Sequence, residues 1–427
     1  MTVEAGIVII AFLGLMLIGV PVAVALIVSA LGYIVFMSNV PVSVVAQQAL
    51  AGTDAFTLMA VPYFIVAGSL MESGGISRRI VDLARSMVGW MPGGLAVVTI
   101  IASMFFAAMT GAGAATTAAV GAMMIPALAR DGYDRGYASA LQASAGVFGP
   151  IIPPSILMVL YAVNAQVSVG DMLIAGVLPG IFLGALLITF VMIKSLRNKQ
   201  SLMREPFSVR GVAVNLARSF WALMTPVIIL GGIYTGILTP TEAAAAGCFY
   251  SVIVGVFIYR ELTPSGLLAV LYRSFKLAAG IMLIVGATRA FGWVLTREGL
   301  PQAAAAWFTD TITNPSIFLF ACVGLFLVAG FFIDAVPNVL IFAPILAPVA
   351  MAYDIDLRHF GIVMVVAFCL GLITPPVGVN LFVASEVGNV PLRKVVPHAW
   401  PFFGILVLGL IVLVAVPQLS TAILPPA

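Results

Sequence analysis

The sequence predicts an all-α polytopic membrane protein of two inverted repeats, each holding a re-entrant helical hairpin and a broken helix. Three observations predict it. The chain is 62% hydrophobic and only 8% charged over 427 residues, against about 25% charged for soluble domains. Landmarks recur in the same order across the two halves. Each half also carries a double-proline interruption within an apolar run, Gly149-Pro-Ile-Ile-Pro-Pro-Ser155 and Gly371-Leu-Ile-Thr-Pro-Pro-Val-Gly378.

So few charges cannot clothe a soluble surface, and apolar stretches of roughly 17–25 residues are long enough to cross a bilayer. The charges are also unevenly laid out. No Lys or Arg precedes Arg78, whereas Lys194, Arg197, Lys199, Arg204, Arg210 and Arg218 face the single acid Glu205. Residues 201–218 are read as a cytoplasmic basic loop by the positive-inside rule. It is a topology signal too short and interrupted for a nucleic-acid surface. Cys248, Cys322 and Cys369 lie in apolar runs and read as small buried hydrophobes, not as a disulfide or metal framework. The N-terminus lacks a basic signal-peptide region, so the first apolar stretch is expected to stay as a span with a non-cytoplasmic start.

The repeat is explicit in the numbering. Gly149 and Gly371, Pro153 and Pro375, Pro154 and Pro376, and Pro126 and Pro348 are each 222 positions apart. Val20-Pro21 resembles Thr239-Pro240, 219 positions on, and Met71-Glu-Ser-Gly-Gly75 resembles Thr296-Arg-Glu-Gly299. One copy is assigned to residues 1–200 and the other to 219–427. The first begins at an N-terminus without Lys or Arg and the second after the basic loop, so the copies are expected to start on opposite sides, as in secondary transporters.

In copy one, two helices fill about residues 4–37, parted near Gly19-Val-Pro21, and a span follows from about Ala55 to Met71. Ser77 to Trp90 sets Ile80, Leu83, Ala84, Met87 and Val88 at helical spacing against Arg78, Arg79, Asp82 and Arg85, an amphipathic helix at the membrane surface. The first hairpin spans about 94–129, with arms near 94–108 and 115–129. An arm of about 15 residues rises only about 22 Å as a helix, short of a hydrocarbon core about 30 Å thick. The pair therefore reads as re-entrant. The first broken helix covers about 136–164. In copy two the hairpin spans about 316–352 and the broken helix about 358–386.

Adjacent prolines end one half-helix and start another. The carbonyls freed at the first half suit a desolvated Na⁺, and the free N–H groups of the second suit an anion. The breaks either bind ligands in this way or are structural kinks. The tip Thr110-Gly111-Ala112-Gly113, with Thr116 and Thr117, either lines an ion or only turns tightly. The second tip supplies Asp334 and Asn338 beside Thr374. A carboxylate within an apolar run costs about 2.5–3.5 kcal/mol on insertion scales, so Asp334 either meets a functional partner or caps the second arm. Ser155 and Asn380 either cap half-helices or meet substrate. Arg289, within Leu277 to Leu295, either meets a substrate carboxylate or snorkels or pairs with an acid. Glu72, Glu242 and Glu298 read as anchors, and Tyr161 and Asn164 as candidate cavity residues.

These residues resemble the large membrane subunit of tripartite ATP-independent periplasmic (TRAP) transporters, over essentially the whole chain. The resemblance is carried by Met109-Thr-Gly-Ala-Gly-Ala-Ala-Thr116, the two Pro-Pro loops, Gly236-Ile-Leu-Thr-Pro-Thr-Glu-Ala243 and Phe331-Phe-Ile-Asp334 with Pro337. It implies an elevator-type mechanism, in which a transport domain moves against a scaffold. It also implies Na⁺-driven uptake of a C4-dicarboxylate or sialic-acid type substrate across the bacterial inner membrane. The partners implied are a small four-helix membrane subunit and a periplasmic solute-binding protein. The subunit is expected to be a separate polypeptide, since no four-helix segment precedes residue 1. No cofactor beyond the coupling Na⁺ and no enzymatic activity are implied.

By position, Thr110, Gly111, Gly113 and Thr116 with Gly149 and Pro150 would form one Na⁺ site. Asp334 and Asn338 with Gly371 and Thr374 would form the other. The substrate would lie between the tips, with Ser155, Thr374, Pro375, Asn380 and Arg289 as candidate contacts. The tip departs from the family's Ser-Gly-Ser, so a hydroxyl ligand is replaced there by backbone. The rivals are a stand-alone Na⁺/dicarboxylate symporter of the wider ion-transporter superfamily, a passive channel and an intramembrane enzyme. For the last, His359 and His398 sit beside no nucleophile motif, and Ala112 occupies the position matching Asp334.

Overall fold

The structure is a computed structural model describing residues 3–197 and 207–424. Lys199, Arg204 and Glu205 of the basic loop lie outside the described residues. Eight helices, among the described residues, are long and apolar enough to cross a membrane.

The chain opens with α1 (Val3–Leu17) and α2 (Val22–Met37), parted at Gly19 and Pro21, followed by α3 (Ser43–Thr53). A single 3₁₀ turn, Phe56–Met59, leads into α4 (Ala60–Ser73). Gly75, at φ +75°, turns the chain into the amphipathic α5 (Ile76–Val88). Its apolar face is buried through Ile80, Leu83 and Ala84, while Met87 is exposed. The first hairpin is α6 (Gly94–Thr110) and α7 (Gly113–Arg130). Then come α8 (Arg135–Gly146), the first break, α9 (Ile156–Ala165), α10 (Val169–Ala175) and α11 (Val177–Arg197).

The second half starts with α12 (Val209–Tyr234), which takes Arg210 and Arg218 out of the loop into its own first turns. α13 (Pro240–Ile253) begins with a capping box. Thr239 Oγ1 accepts from the Glu242 amide, and Glu242 Oε2 accepts from the Thr239 amide at 2.8 Å. This explains the Pro-Thr-Glu-Ala motif locally: Glu242 is a cap. After α14 (Pro264–Arg297), Gly299 at φ +70° turns the chain into α15 (Leu300–Thr311). The second hairpin is α16 (Pro315–Phe332) and α17 (Ala335–Ala352). α18 (Leu357–Gly371), the second break, α19 (Val379–Gly388), α20 (Leu392–Ala415) and α21 (Gln418–Thr421) complete the chain.

Helix, left-handed glycine, short helix, hairpin and broken helix thus succeed one another in the same order in both halves. The hairpin arms are longer than the sequence predicted, at 17, 18, 18 and 18 residues. Eighteen residues rise about 27 Å, so length does not separate these arms from spans. Their hairpin character rests on two-residue tips that end inside the protein. The sequence reading passed over α3 and treated all three cysteines as buried; Cys248 is only half-buried, its Sγ 2.9 Å from Tyr63 O.

The two broken helices form the centre. Every residue of α8 from Gly136 to Gly146 is buried, as is every residue of α18 from His359 to Gly371. The packing around them is crossed. α19, from the second break, packs on α7 and α8, whereas α9, from the first break, packs on α17. A second set of helices, α1–α5 with α12–α14, packs mainly within itself, and α5, α14 and α4 carry it against the hairpins.

Close backbone approach requires glycine where the second hairpin meets the second break. A Cβ on Gly371 would meet Gly330 backbone, with the carbonyl carbon at 2.6 Å and Cα at 2.8 Å. Gly324, on the same α16, has nothing within 4 Å of an added Cβ. Gly371→Ala is expected to cost about 1–3 kcal/mol by overpacking, read as a lower thermal unfolding midpoint in detergent, while Gly324→Ala leaves the midpoint unchanged or raises it.

Candidate functional site

A cavity of about 350 Å³ lies where the two hairpin tips, the two breaks and the second helix set meet. Thr110 to Ala115 line it from the first tip and Asp334 to Val336 from the second. Pro150, Ile156 and Leu157 come from the first break, and Leu372 and Val379 from the second. The far wall is α4, through Ile65, Gly68, Ser69 and Glu72, and α14, through Leu277 and Ile281.

The lining has a pattern. Gly113 to Ala115 open α7, Ile156 and Leu157 open α9, Ala335 and Val336 open α17, and Val379 opens α19. Four helices therefore present their amino ends to one space. The backbone N–H groups of helix first turns and the positive ends of the helix dipoles favour an anion there. Among the described residues, no Lys or Arg lines the cavity. Among the described residues, the carboxylates that do are Glu72 and Asp334, which lie on opposite walls. Asp334 sits at the N-cap position of α17, with its carboxylate beside the backbone amides of Ala335 and Val336 in the cavity lining.

Behind the tips lies a buried polar layer. Thr110 and Thr116 share a hydroxyl–hydroxyl hydrogen bond of 3.0 Å, and the Thr116 hydroxyl donates to Ala112 O at 3.0 Å. Gln142 Nε2 donates to Thr116 O at 3.2 Å. Asn380 Nδ2 donates to Ala143 O at 3.2 Å, which turns Asn380 Oδ1 toward Gly113. A Cβ built on Gly113 would lie 3.1 Å from Asn380 Oδ1 and 3.2 Å from Gly146 O, and one built on Gly146 would lie 3.1 Å from Gly113 O and against Thr117 Oγ1. The two glycines thus keep open a cradle ringed by two carbonyls, a hydroxyl and the Asn380 amide, whose Nδ2 would lie 3.1 Å from a Cβ on Gly146. Thr117 Oγ1 and Asn380 Oδ1 are buried there with no hydrogen-bond partner, as is the nearby Gln142 Oε1. Orphaned buried oxygens are costly unless something is satisfied by them. A hard cation that takes oxygen ligands fits this donor set.

At the second tip, Asn338 Nδ2 donates to Ile333 O at 2.9 Å and leaves Asn338 Oδ1 buried and unpartnered. The Thr374 hydroxyl donates to Leu370 O at 2.8 Å, and Val377 N to Phe331 O at 3.2 Å. The second tip is therefore stitched to its break as the first is.

Of the residues singled out from sequence, Thr110, Gly111, Gly113, Pro150 and Asp334 line the cavity, and so does Glu72, which the sequence reading took for an anchor. Thr116, Gly149, Ser155, Asn338, Gly371, Thr374 and Asn380 are buried around it, and Pro375 is half-buried. Ser155 acts as a cap: its hydroxyl accepts from Met158 N at 3.3 Å and donates to Pro150 O at 2.5 Å. Asn380 is no cap, because Gly378 takes that position. Arg289 is not brought to the site. It is exposed on α14, with its Cβ and Cγ packed against Gly52 of α3. Missing α3 hid this, because nothing else in the sequence shows which face of α14 is covered. Tyr161 is not in the lining of this cavity and donates to Leu357 O at 2.7 Å. His359, read as remote from any serine motif, has Nδ1 2.6 Å from Ser420 Oγ, but both are buried away from the cavity. Gly146 and Gln142 were missed, because an alanine-rich helix signals neither.

A family profile described as the DctM component of tripartite ATP-independent periplasmic transporters matches residues 9–419. The chain belongs to this family. It is 42% identical to the C4-dicarboxylate TRAP transporter large permease protein DctM of Pseudomonas aeruginosa, over 87% of each chain. It is 37% identical to the sialic acid TRAP transporter large permease protein SiaM of Vibrio cholerae, over 93% of this chain and 94% of that one. The solved YdaH transporter of Alcanivorax borkumensis superposes with a TM-score of 0.63, at 15% identity over 88% of this chain and 87% of that one, a likeness of fold. The DctM-family chain is a multi-pass membrane protein and a TRAP large permease.

In this family member, Ser155→Ala is expected to lower stability by about 1 kcal/mol through loss of the cap. Thermal unfolding reads this, with Ser155→Thr retaining the midpoint. Because Ser155 lies behind the cavity, the apparent KM for transported substrate is expected to hold in both variants.

Proposed function

We propose that this large permease imports a small organic acid, coupled to Na⁺, through a cavity that recognises the anion by helix amino ends. The observation that carries the reading is the convergence of four such ends on one space without a single cationic side chain. The cradle of orphaned oxygens behind the first tip supports Na⁺ as the coupling ion. Asn338 Oδ1 and Asp334 offer the second ion its ligands beside Gly371 and Thr374. Bound Na⁺ at these places offsets the carboxylate and strengthens the pull on an anion, so the two ligands bind better together. Asn380 belongs, on this reading, to the ion and not to the substrate.

The two halves, 1–200 and 219–427, are inverted repeats, with Lys194 to Arg218 on the cytoplasmic side of the bacterial inner membrane. The tips and breaks move together as one transport domain against α1–α5 and α12–α14, the elevator arrangement. Substrate reaches the cavity from a periplasmic binding protein, and a small four-helix subunit completes the membrane part. The names of the relatives make C4-dicarboxylates and sialic acids the first candidates for the transported acid.

Proteoliposomes holding the permease with its small subunit, challenged with a panel of loaded binding proteins, test this. Uptake is expected only with a Na⁺ gradient and a matching binding protein; robust uptake of free substrate without one would sink the tripartite reading. Asn380→Ala and Asp334→Ala are each expected to raise the Na⁺ concentration for half-maximal uptake about tenfold, equivalent to about 1.4 kcal/mol. Unchanged Na⁺ dependence would return both to structural roles. Arg289→Gln is expected to leave uptake unaltered.

A further inference from the structure

A second pocket, of about 190 Å³, lies far from the transport cavity, between α8, α11 and α20. It is lined by Tyr133, Asp134, Tyr137, Lys194, Ser195 and His398, together with Val191. Neither the ion sites nor the substrate route uses any of these residues. Lys194 stands in the last turn of α11, and His398 in the second turn of α20. Both helices are long and apolar enough to span, so the pocket sits at the level where spans end and lipid head groups begin.

Its chemistry is that of an anion site. Lys194 Nζ lies 4.4 Å from the Tyr137 ring centroid and 5.7 Å from that of Phe402. Among the described residues it forms no ion pair with a carboxylate. The one acid in the lining is already engaged: Asp134 Oδ1 accepts from Tyr137 N at 3.0 Å and lies 3.3 Å from His398 Nε2. The Tyr133 hydroxyl is buried with no partner, in a residue only 8% exposed. It converges with Ser195 on Gly93: a Cβ on Gly93 would lie 3.2 Å from Ser195 Oγ and 3.7 Å from Tyr133 Oη. An ammonium that lies over aromatic rings without a carboxylate partner, an unpartnered phenol and a serine hydroxyl thus surround a space that admits a small oxyanion. Arg197, Arg393 and Lys394 lie on the same helix ends. Basic pockets between spans at this level hold phospholipid head groups.

We propose that this pocket binds a phosphate group, with Lys194 supplying the charge and Tyr133 and Ser195 the hydrogen bonds. The group is either the phosphodiester of an anionic phospholipid or free phosphate. It bridges α11 to the loop before α8, and so ties the end of the first half to the broken-helix core.

The test uses the full chain in phosphatidylcholine vesicles, titrated with phosphatidylglycerol or separately with inorganic phosphate at fixed ionic strength. The readouts are the thermal unfolding midpoint and, by native mass spectrometry, the phospholipid retained. At least one probe is expected to raise the wild-type midpoint. The rise is expected to be lost in Lys194→Gln and reduced in Tyr133→Phe, but kept in Lys194→Arg and in Arg197→Gln, which lies outside the lining. A rise with phosphatidylglycerol alone, with retained lipid, assigns the site to a head group; a rise with inorganic phosphate assigns it to the free ion. No rise with either probe, or the same rise in wild type and Lys194→Gln, overturns the proposal. Tyr133→Phe removes one hydroxyl and carries the test if Lys194→Gln does not fold.

Discussion

Everything near the centre of this molecule follows from the cost of an unsatisfied backbone group away from water. Where the chain is continuous helix, the cost is met internally. Two double-proline breaks and two hairpin tips interrupt it, and each interruption frees amides on one side and carbonyls on the other. The fold answers by bringing all four interruptions to one place. Amides are collected toward an open cavity, and oxygens are collected behind it in a closed layer. The same constraint that makes such breaks rare in apolar surroundings makes them useful when they are gathered.

The crossed packing decides how this gathering is achieved. Each hairpin packs on its own half's broken helix, α7 on α8 and α16 on α18, and is also held by the other half's, α19 lying on α7 and α9 on α17. The cradle at Gly113 and Gly146 is completed by Asn380, from the opposite half. The halves are not symmetric in chemistry. The first tip offers hydroxyls and carbonyls, and the second offers the carboxylate of Asp334. An oxygen site without a formal charge and one with a charge hold a cation with different strength and respond differently to salt.

Much of this was legible in the residues. The breaks, the hairpins and the boundaries of most helices followed from Pro-Pro pairs, glycine-rich tips and apolar run lengths, because proline and glycine act on the local backbone. What failed to show were features set by tertiary contact. Asn380 looks the same in sequence whether it caps a helix or turns into the protein; only the cap position of Gly378 and the bond to Ala143, which turns Oδ1 toward Gly113, separate these. Gly146 and Gln142 sit in an alanine-rich helix with nothing local to mark them. Arg289 stood out as a lone charge in an apolar run, yet its exposure beside Gly52 depends on a helix whose weak pattern gave no warning. The four convergent amino ends were half visible: those after the breaks could be read, while those at the tips needed the hairpin arms to be placed.

Asn380 also bears on how such a protein comes into being. The oxygens it completes belong to residues made more than two hundred positions earlier. A nascent chain inserting from its N-terminus carries an unfinished cradle through most of its synthesis. The polar layer behind the first tip stays open until α19 arrives. Long-range closure of this kind is slow compared with local helix formation. Biogenesis therefore passes through a stage in which the early half is inserted but not closed, and the last helices act as its lock.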